Sequence, residues 1–420
     1  MKTKIKRLIV STPQGQSGFL DKESQFVFNY DRGIDPSCEV SLNMPLRAQS
    51  YSANALLPIF SMNRPEGWLA YHLMQRLAKL GAVDDMALLA ITGQHQIGRL
   101  AFRDQEALSG RKRDPIGLKE ILSSPSREVF AFLVDQYFDS GVSGVQPKVL
   151  VPDADRSRVT ANTANLIVKS GGEEYPELAV NEFLCLTVAR QAGLLVPNFW
   201  LSSDRQLLVV ERFDLDARGE RKGFEDMAVL MGKTADATGN YKYQGSYEQV
   251  AKAIKYFGRE NSSRNLEEFF SSVALSVLVR NGDAHLKNFG LIYDHPHGET
   301  PRLAPVYDVV TTTVYSDIDR RTGREVVDRT MALKFSNQKL FPDRKMLMDF
   351  GTKVCGVTHP QNTIERIQET KEHTARTHFD LLSEKMRHKM LEEWNIGRHK
   401  KPLERRMPFG KSPKQDLEIE

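Results

Sequence analysis

Cysteine is scarce in this chain of 420 residues: Cys38, Cys185 and Cys355 lie far apart and form no C-x-x-C pair. This spacing argues against a zinc site or a dithiol redox centre built from neighbouring cysteines. A run of about 18 apolar residues, which a membrane-spanning helix needs, is also missing. The basic residues 1–7 precede only three apolar residues, 8–10, too few for a secretory signal. We expect a cytoplasmic protein with reduced thiols and no membrane contact.

Charge of either sign is not in large excess, because 58 basic residues face 54 acidic ones, and the net charge of +4 indicates no particular partner. The composition, 40% hydrophobic and 9% aromatic, allows a buried core in each of two or three domains. Basic residues do crowd residues 397–420, where Pro402, Pro408 and Pro413 exclude one continuous helix. We expect a flexible basic tail there, which either only solubilises the protein or contacts nucleic acid or an acidic partner.

Residues 1–120 have the pattern of a small β-rich subdomain. Alternating apolar residues indicate strands, and leucines three to four residues apart after Pro65 indicate an amphipathic helix. The predicted elements are strands at 5–11, 26–30 and 97–102 and helices at 69–80 and 85–92.

The pattern from about residue 140 to residue 215 is mostly β, and the pattern after about residue 245 is mostly helical. Asn265, with Glu268 three residues later, predicts a capping box at the start of a helix. The other predicted elements are strands at 149–151, 166–168 and 207–210, a helix at 179–192 that ends at Gly193, a helix at 266–280, and one or two helices within 363–394. A β-rich lobe followed by a helical lobe is typical of kinase-like folds, so we expect an α+β protein that binds a nucleotide between two lobes.

Acidic and amide side chains with a suggestive spacing occur in the segment 281–290, Asn-Gly-Asp-Ala-His-Leu-Lys-Asn-Phe-Gly. Asp283 is suited to orient a hydroxyl group or accept its proton, while the Asn288 amide and the later Asp308 are suited to bind Mg²⁺. Protein-kinase catalytic loops have the same D-x-x-x-x-N spacing. The alternative is a turn after a helix in which Asn281 and Asp283 only satisfy backbone groups.

Two further residues of this segment are His285, which we expect to order its neighbours, and Lys287, which is suited to neutralise a transferred phosphate. A metal site at His295 and His297 is not expected, since no cysteine or third histidine is near.

A glycine-containing turn at residues 141–148 precedes a strand, and its backbone amides are suited to approach phosphate oxygens. The residues expected to bind phosphate there are Val142, Ser143, Gly144, Val145, Gln146 and Lys148. The alternative is an ordinary hairpin turn. The triplet Gly232-Lys233-Thr234 is not a Walker A loop, because Met227 stands where that motif needs a glycine.

Lys169 ends an apolar strand, where a half-buried ammonium group needs an anionic partner such as an ATP phosphate. Glu182 either orients Lys169 or faces solvent. Glu211 and Phe213 follow the strand that leads into the linker between the lobes, so backbone groups there are suited to pair with adenine.

Taken together, these motifs resemble those of the HipA family of bacterial toxin serine/threonine kinases. The similar segments are 41–47, 65–68, 142–148, 181–183, 211–214, 281–289 and 303–308, in the same order, so that the resemblance covers roughly residues 1–390.

The resemblance implies a two-lobed fold related to lipid kinases, with an extra N-terminal subdomain. It implies 1–120 as that subdomain, 121–245 as the kinase N-terminal lobe, 246–396 as the helical C-terminal lobe and 397–420 as a tail outside the family pattern. Its partners would be a HipB-like helix-turn-helix antitoxin, operator DNA bound mainly through that antitoxin, and an aminoacyl-tRNA synthetase as protein substrate.

The resemblance also assigns roles to residues. It implies Asp283 as the catalytic acid, Asn288 and Asp308 as Mg²⁺ ligands, and Lys169 as the lysine that binds ATP phosphate. Residues 142–148 would form the phosphate loop, and Glu211 and Phe213 would contact adenine.

The sequence departs from the family at Gly141, where members often carry a serine whose autophosphorylation switches the kinase off. If the protein inactivates itself, we expect Ser143 to be the acceptor, with Ser140 second. A phosphate at either site would compete with ATP for the same amides.

Three functions remain open: a toxin kinase, a weakly catalytic corepressor scaffold in an antitoxin–DNA complex, and a small-molecule phosphotransferase. The complete set of acids, amide and lysine favours the first over a dead kinase, and the long N-terminal subdomain disfavours the third.

Overall fold

The computed structural model describes residues 5–77, 83–104, 116–137, 146–154, 164–172, 174–236, 238–298, 300–319 and 321–396. The predicted basic tail, 397–420, lies outside the described residues.

The N-terminal part is built on an antiparallel five-stranded sheet in the order β4-β3-β2-β1-β5. Leu8 and Val10 of β1 are fully buried and alternate with more exposed residues, as expected for a strand with one face on a core. Its elements are β1 Arg7–Thr12, β2 Gly15–Lys22, β3 Phe26–Tyr30, β4 Tyr51–Ala53, α1 Pro58–Ser61, α2 Gly67–Leu77, α3 Asp85–Thr92 and β5 Ala101–Arg103.

The predicted strands near residues 5–11 and 26–30 and the helix at 85–92 are confirmed. The strand predicted at 97–102 is wrong for its first four residues, since β5 begins at Ala101. The backbone there is bound elsewhere: the Ile97 carbonyl accepts from Asn63, and the Gly98 amide donates to Asp214 at 2.6 Å.

A second antiparallel sheet, in the order β6-β7-β9-β8, forms the β-rich lobe. Residues 118–137 contain two helices that the sequence pattern did not indicate. They pack Val129, Leu133 and Tyr137 against apolar residues of the sheet such as Val149. The elements of this lobe are α4 Leu118–Ser123, α5 Ser126–Tyr137, β6 Lys148–Val151, β7 Leu166–Ser170, α6 Leu178–Gln191, β8 Phe199–Leu201 and β9 Leu207–Glu211.

The rest of the described chain is mainly helical, with a short sheet β10-β11-β12 beside the cleft. Its elements are β10 Gly223–Asp226, α7 Met227–Leu230, α8 Tyr247–Phe257, α9 Ser262–Leu278, β11 Gly290–Tyr293, β12 Arg302–Leu303, β13 Asp317–Ile318, β14 Glu325–Val326, β15 Thr330–Phe335, β16 Gln338–Leu340, α10 Arg344–Asp349, α11 Pro360–His378 and α12 Glu384–Glu393.

The capping box predicted at Asn265 is wrong, because α9 begins three residues earlier at Ser262. Asn265 is fully buried inside the helix. Its side chain donates to the Pro301 carbonyl and accepts from the Leu303 amide, both at 2.9 Å, and so holds β12 against α9. The helical pattern at 363–394 is confirmed as two helices, α11 and α12.

The apolar core of the N-terminal sheet also includes residues from the rest of the chain. Phe224 of β10, Val229 of α7 and Ala304 pack into the same apolar cluster as Leu8 and Phe28. The fold is therefore α+β, with the N-terminal part joined to the lobes through shared apolar contacts. No helix among the described residues combines the length and apolar character needed to cross a membrane.

Candidate active site

A cleft of about 1150 Å³ lies between the β-rich lobe and the helical lobe. Ten of the residues named in the sequence analysis line it: Gln146, Lys148, Lys169, Glu211, Phe213, Asp283, His285, Lys287, Asn288 and Asp308. Val142, Ser143, Gly144, Val145 and Ser140, which belong to the predicted phosphate loop, lie outside the described residues. The structure thus brings together in one cavity residues that are up to 162 positions apart, the separation of Gln146 and Asp308.

Local hydrogen bonds hold the loop between α9 and β11 in one shape. The Asn281 side chain accepts from the Asp283 amide at 3.1 Å, and the Gly282 amide donates to Thr312 Oγ1 at 2.8 Å. A Cβ on Gly282 would lie 2.5 Å from the Thr330 carbonyl oxygen, so only glycine fits there. Asn281 therefore satisfies a backbone group, as the alternative interpretation of a simple turn expects for both residues. The Asp283 side chain does not, and it remains available in the cleft.

The Asp283 carboxylate faces the cleft and accepts a hydrogen bond of 2.9 Å from the Tyr243 hydroxyl. Although the side chain is accessible to solvent, protein surrounds it on most sides. This enclosure raises the pKa of Asp283 to about 6, while the Tyr243 hydroxyl and Lys242 act in the opposite direction. A carboxylate with such a pKa is ionised at neutral pH and still basic enough to take up a proton.

Asn288 lies at the end of the same loop, where its side-chain oxygen accepts from the His285 amide at 3.0 Å. His285 is buried, and burial, together with the positive charge of Lys242, lowers the pKa of its imidazole to about 3. The ring is therefore neutral at physiological pH, which suits the ordering role predicted for it. In the described part of the chain, no group of three or more His, Cys, Asp or Glu side chains is placed to hold a metal, His295 and His297 included.

Four charged side chains form a network across the cleft, in which Lys148, Lys169 and Glu182 are buried and Asp308 is partly exposed. Lys169 Nζ lies 2.6 Å from Glu182 Oε1 and 2.6 Å from Asp308 Oδ1, and Lys148 Nζ lies 3.8 Å from Asp308 Oδ2. Burial alone would raise the pKa of Asp308, but the ammonium groups of Lys148 and Lys169 hold it well below its usual range. Glu182 does not face solvent, since it is only 1% exposed, and it is the buried partner that orients Lys169.

Lys287 lies in the cleft wall, with its ammonium group already bound. It donates to the Met62 carbonyl at 2.7 Å and lies 3.4 Å from Asp226 Oδ2. The backbone carbonyl of Lys287 accepts from the Tyr307 hydroxyl at 2.7 Å. These contacts tie the loop to the N-terminal part of the chain, a role that the sequence pattern did not indicate.

Aromatic rings line the part of the cleft near Phe213. The ring of Phe213 lies 5.3 Å from Tyr307 at an interplanar angle of 31°, and 5.3 Å from Phe224. The Glu211 side chain accepts from the Asn198 side chain at 2.6 Å, and the Glu211 backbone amide donates to the Asn198 carbonyl at 2.8 Å, so that Glu211 is fixed in the cavity lining. Flat apolar surfaces of this kind suit a purine base.

Tyr243 and Tyr307 are among the residues of the site that the sequence did not predict. Tyr307 directly precedes Asp308, but no local pattern predicts a role for its ring. Tyr243 lies 40 residues before Asp283, in the segment Gly239-Asn240-Tyr241-Lys242-Tyr243. The only sequence signal there is that the segment combines two tyrosines with a lysine.

Known proteins share both sequence and fold with this chain. Residues 8–103 match the model of the HipA N-terminal domain, and residues 140–379 match that of the HipA-like C-terminal domain. A Haemophilus influenzae protein that carries the provisional name of a kinase is 32% identical over 215 residues, 47% of this chain and 62% of the relative. A similarly named Sinorhizobium fredii protein, Y4dM, is 28% identical over 303 residues, 67% of this chain and 66% of the relative. The chain thus spans slightly less than two thirds of the length of these two relatives.

Among solved structures, the chain is similar to HipA of Shewanella oneidensis, determined in complex with HipB and its operator DNA. The TM-score is 0.66 at 19% identity, and the superposition covers 92% of this chain and 96% of that one. This likeness shows the fold. The protein has the two-lobed, kinase-like α+β architecture, and with both family models matched across 8–103 and 140–379 the chain belongs to the HipA family.

Proposed function

We propose that this protein is an ATP-dependent serine/threonine protein kinase of the HipA type. The strongest support is that one cleft contains Asp283, Asn288, Asp308 and Lys169. Glu182 holds Lys169 in place through an ion pair. Positioning and charge stabilisation carry most of the catalysis in phosphoryl transfer, and these side chains are suited to both tasks.

Each group has a distinct task in this proposal. Asp283 orients the acceptor hydroxyl and takes its proton, and its pKa of about 6 leaves it ionised at neutral pH. Lys169 binds an ATP phosphate, as do Gln146 and Lys148 with the preceding loop from Val142 to Val145. Phe213 and Tyr307 flank the adenine, while the backbone at Glu211 pairs with its edge.

Oxygen ligands for Mg²⁺ are present, and they fit that ion. Asn288 and Asp308 would hold it, and Mg²⁺ bound there would neutralise charge that develops on the phosphate oxygens. Two protein ligands are enough, since Mg²⁺ in such sites takes its other ligands from phosphate and water. Asp308 is ionised over the whole physiological pH range because Lys148 and Lys169 lower its pKa.

We further propose that the kinase is the toxin of a toxin–antitoxin pair and phosphorylates a cellular protein, with an aminoacyl-tRNA synthetase as the first substrate to test. A HipB-like antitoxin would neutralise it and would carry the complex to operator DNA. The family membership supports this, as does the fold shared with a HipA solved together with HipB and DNA.

Comparison of Asp283→Ala with the wild type tests the kinase proposal. The control is Asp349→Asn, since Asp349 is a surface residue paired with Lys353 and remote from the cleft. We expect Asp283→Ala to abolish both ATP turnover and growth inhibition, with Asp349→Asn behaving as the wild type. Growth inhibition that persists in Asp283→Ala would point to the corepressor scaffold. Phosphorylation of aminoglycoside- or choline-like small molecules, without phosphorylated cell proteins, would point to the small-molecule phosphotransferase.

Phosphoproteomics of cells that express the wild type or Asp283→Ala would identify the substrate. The same approach tests self-inactivation, for which we propose Ser143 as the acceptor and Ser140 as the second choice. After incubation with Mg²⁺ and ATP, mass spectrometry should find a phosphate on Ser143. An active enzyme with an unmodified loop would refute autophosphorylation here.

A further inference from the structure

The helical lobe contains a second cavity, lined by both charged and apolar residues, that shares no lining residue with the cleft. It has a volume of about 270 Å³ and lies between the end of α9, the start of α10 and the middle of α11. A neighbouring cavity of about 300 Å³ shares Arg280, Glu393 and Asn395 with it. We propose that this cavity, which we call the Arg280 pocket, binds a phosphate group through Arg280 and Lys371.

Lys371 is a buried cation with spare hydrogen-bonding capacity. Its residue is 3% exposed, and its ammonium group donates to the Leu278 carbonyl at the end of α9, at 3.1 Å. An ammonium group has three donors, so two remain for a ligand. Burial, with the positive charge of Arg280, lowers the pKa of Lys371 to about 8, which still leaves it mostly protonated at neutral pH.

Arg280 supplies the second cation. Its guanidinium group lies over the Phe341 ring at 5.0 Å and makes no hydrogen bond or ion pair with another residue of the described chain. Guanidinium has five donors in a planar fork that matches the oxygens of a phosphate. Two cations face one cavity, therefore, with most of their donors unused.

The acidic residues around the Arg280 pocket are already engaged. Both oxygens of Glu393 accept from Arg329, at 2.6 and 2.9 Å, and one also accepts from Thr313. Asp343 accepts from the Met346 amide at the start of α10. The remaining cation of the lining, Arg344, is paired with Glu365 at 2.9 Å. Glu393 also acts electrostatically on Arg280, and Asp343 keeps its negative charge, but neither Arg280 nor Lys371 forms an ion pair with a described residue.

A ligand at Arg280 would act directly on the catalytic loop. The Arg280 carbonyl accepts from the amide and the hydroxyl of Thr312, at 3.1 and 3.2 Å. Thr312 Oγ1 in turn accepts from the Gly282 amide, next to Asp283. Arg280 has a φ of 60°, in the left-handed region, so its position depends on these contacts. Phosphate in the Arg280 pocket would stabilise this arrangement and reduce opening of the loop.

Phosphate binding can be measured with the cleft filled by Mg²⁺ and the nonhydrolysable analogue adenylyl imidodiphosphate. Titration with inorganic phosphate at constant ionic strength should raise the Tm of the wild type. Arg280→Lys, Arg280→Gln and Lys371→Met should each weaken phosphate binding about tenfold or more, because each removes charge-assisted hydrogen bonds. Arg366→Gln, at an exposed position of the same helix as Lys371, should bind as the wild type does.

A second measurement covers the case in which a variant folds poorly. Hydrogen exchange of residues 279–283 in the wild type should slow when phosphate is added, and Arg280→Lys should lose that effect. Phosphoserine in place of inorganic phosphate distinguishes the sources, since tighter binding of phosphoserine indicates a phosphorylated side chain and equal or weaker binding indicates the free ion. A wild-type Tm and exchange rate unaffected by phosphate, or an effect retained in both Arg280→Gln and Lys371→Met, would overturn the proposal. These readouts do not need catalysis, so they can succeed even if the kinase proposal fails.

Discussion

The hydroxyl group of Tyr243 donates a hydrogen bond of 2.9 Å to the carboxylate of Asp283. This bond stabilises the ionised form of Asp283 and partly offsets the enclosure that raises its pKa to about 6. Tyr243 therefore lowers the pH below which Asp283 becomes protonated.

For Tyr243→Phe, we expect the acid limb of the pH–rate profile to move to higher pH, because the pKa of Asp283 rises further. The shift should be about half a pH unit, less than the roughly one unit that a fully buried charged hydrogen bond would give, since water screens the cleft. Rates of ATP turnover between pH 5 and 8 measure it. Tyr256→Phe, at a residue that is 78% exposed, is the control. An unshifted acid limb in Tyr243→Phe would show that this bond does not tune Asp283.

Lys169 has a structural effect as well as its proposed role in binding ATP. Lys169→Met would leave Glu182 buried without its partner, so we expect the free energy of unfolding to fall by about 3 kcal/mol in urea titrations. Adding Glu182→Gln should recover at least about 1 kcal/mol, because the unpaired charge is then removed. Lys353→Met, in an exposed pair with Asp349, should change stability by less than about 0.5 kcal/mol. Equal losses in the two lysine variants would contradict this account.

Asp214 connects the N-terminal part to the β-rich lobe. It accepts from the Gly98 amide and pairs with Arg212, which also donates to the Gln96 carbonyl at 2.9 Å. Asp214→Ala should lower the free energy of unfolding by about 3 to 5 kcal/mol, because it leaves Arg212 buried and unpaired. We also expect proteolysis to begin between residues 97 and 104 at a higher rate. Asp294→Ala, which removes a surface ion pair with Lys222, should have neither effect.

His285 should make the protein less stable in acid. Its pKa is about 3 in the folded state and about 6.5 in the unfolded state, so below pH 6.5 the unfolded chain takes up a proton that the folded chain does not. Stability from this source is complete above pH 6.5 and falls by up to about 1.4 kcal/mol per pH unit as the pH drops towards 3. Asp283 acts in the opposite sense between about pH 4 and 6, since its pKa is raised.

We therefore expect His285→Gln to lose less stability than the wild type between pH 6.5 and 4.5, as measured by urea unfolding at each pH. His373→Gln, at an exposed position, should keep the dependence of the wild type. A steep fall retained in His285→Gln would show that another group dominates.

Local sequence patterns predicted much of the secondary structure and many of the residues that line the cleft. The helix at 85–92 and the helices within 363–394 were predicted because apolar residues recur every three to four positions there. Asp283, Asn288 and Lys169 were predicted as site residues because each stands in a short motif whose side chains suit phosphoryl transfer. The helices at 118–137 were missed, since their apolar faces become recognisable only against the sheet on which they pack.

Contacts between distant segments could not be predicted in this way. Asn265 has the sequence context of a helix cap, yet its side chain binds the Pro301 carbonyl instead. Whether it caps the helix or binds this carbonyl depends on the approach of β12, which local sequence does not determine. Tyr243 meets Asp283 across 40 residues, and Lys287 meets the Met62 carbonyl across 225. No local pattern encodes such a distance.

The sequence by itself determined which chemical groups the protein has for its proposed reaction, because acids, an amide and lysines in short motifs keep their character in any fold. Only the tertiary structure decided how these groups behave. Burial raises the pKa of Asp283, two lysines lower that of Asp308, and Lys287 is bound by the Met62 carbonyl and Asp226. These effects depend on how closely charges approach and how much water is excluded, and both are set when the lobes pack together.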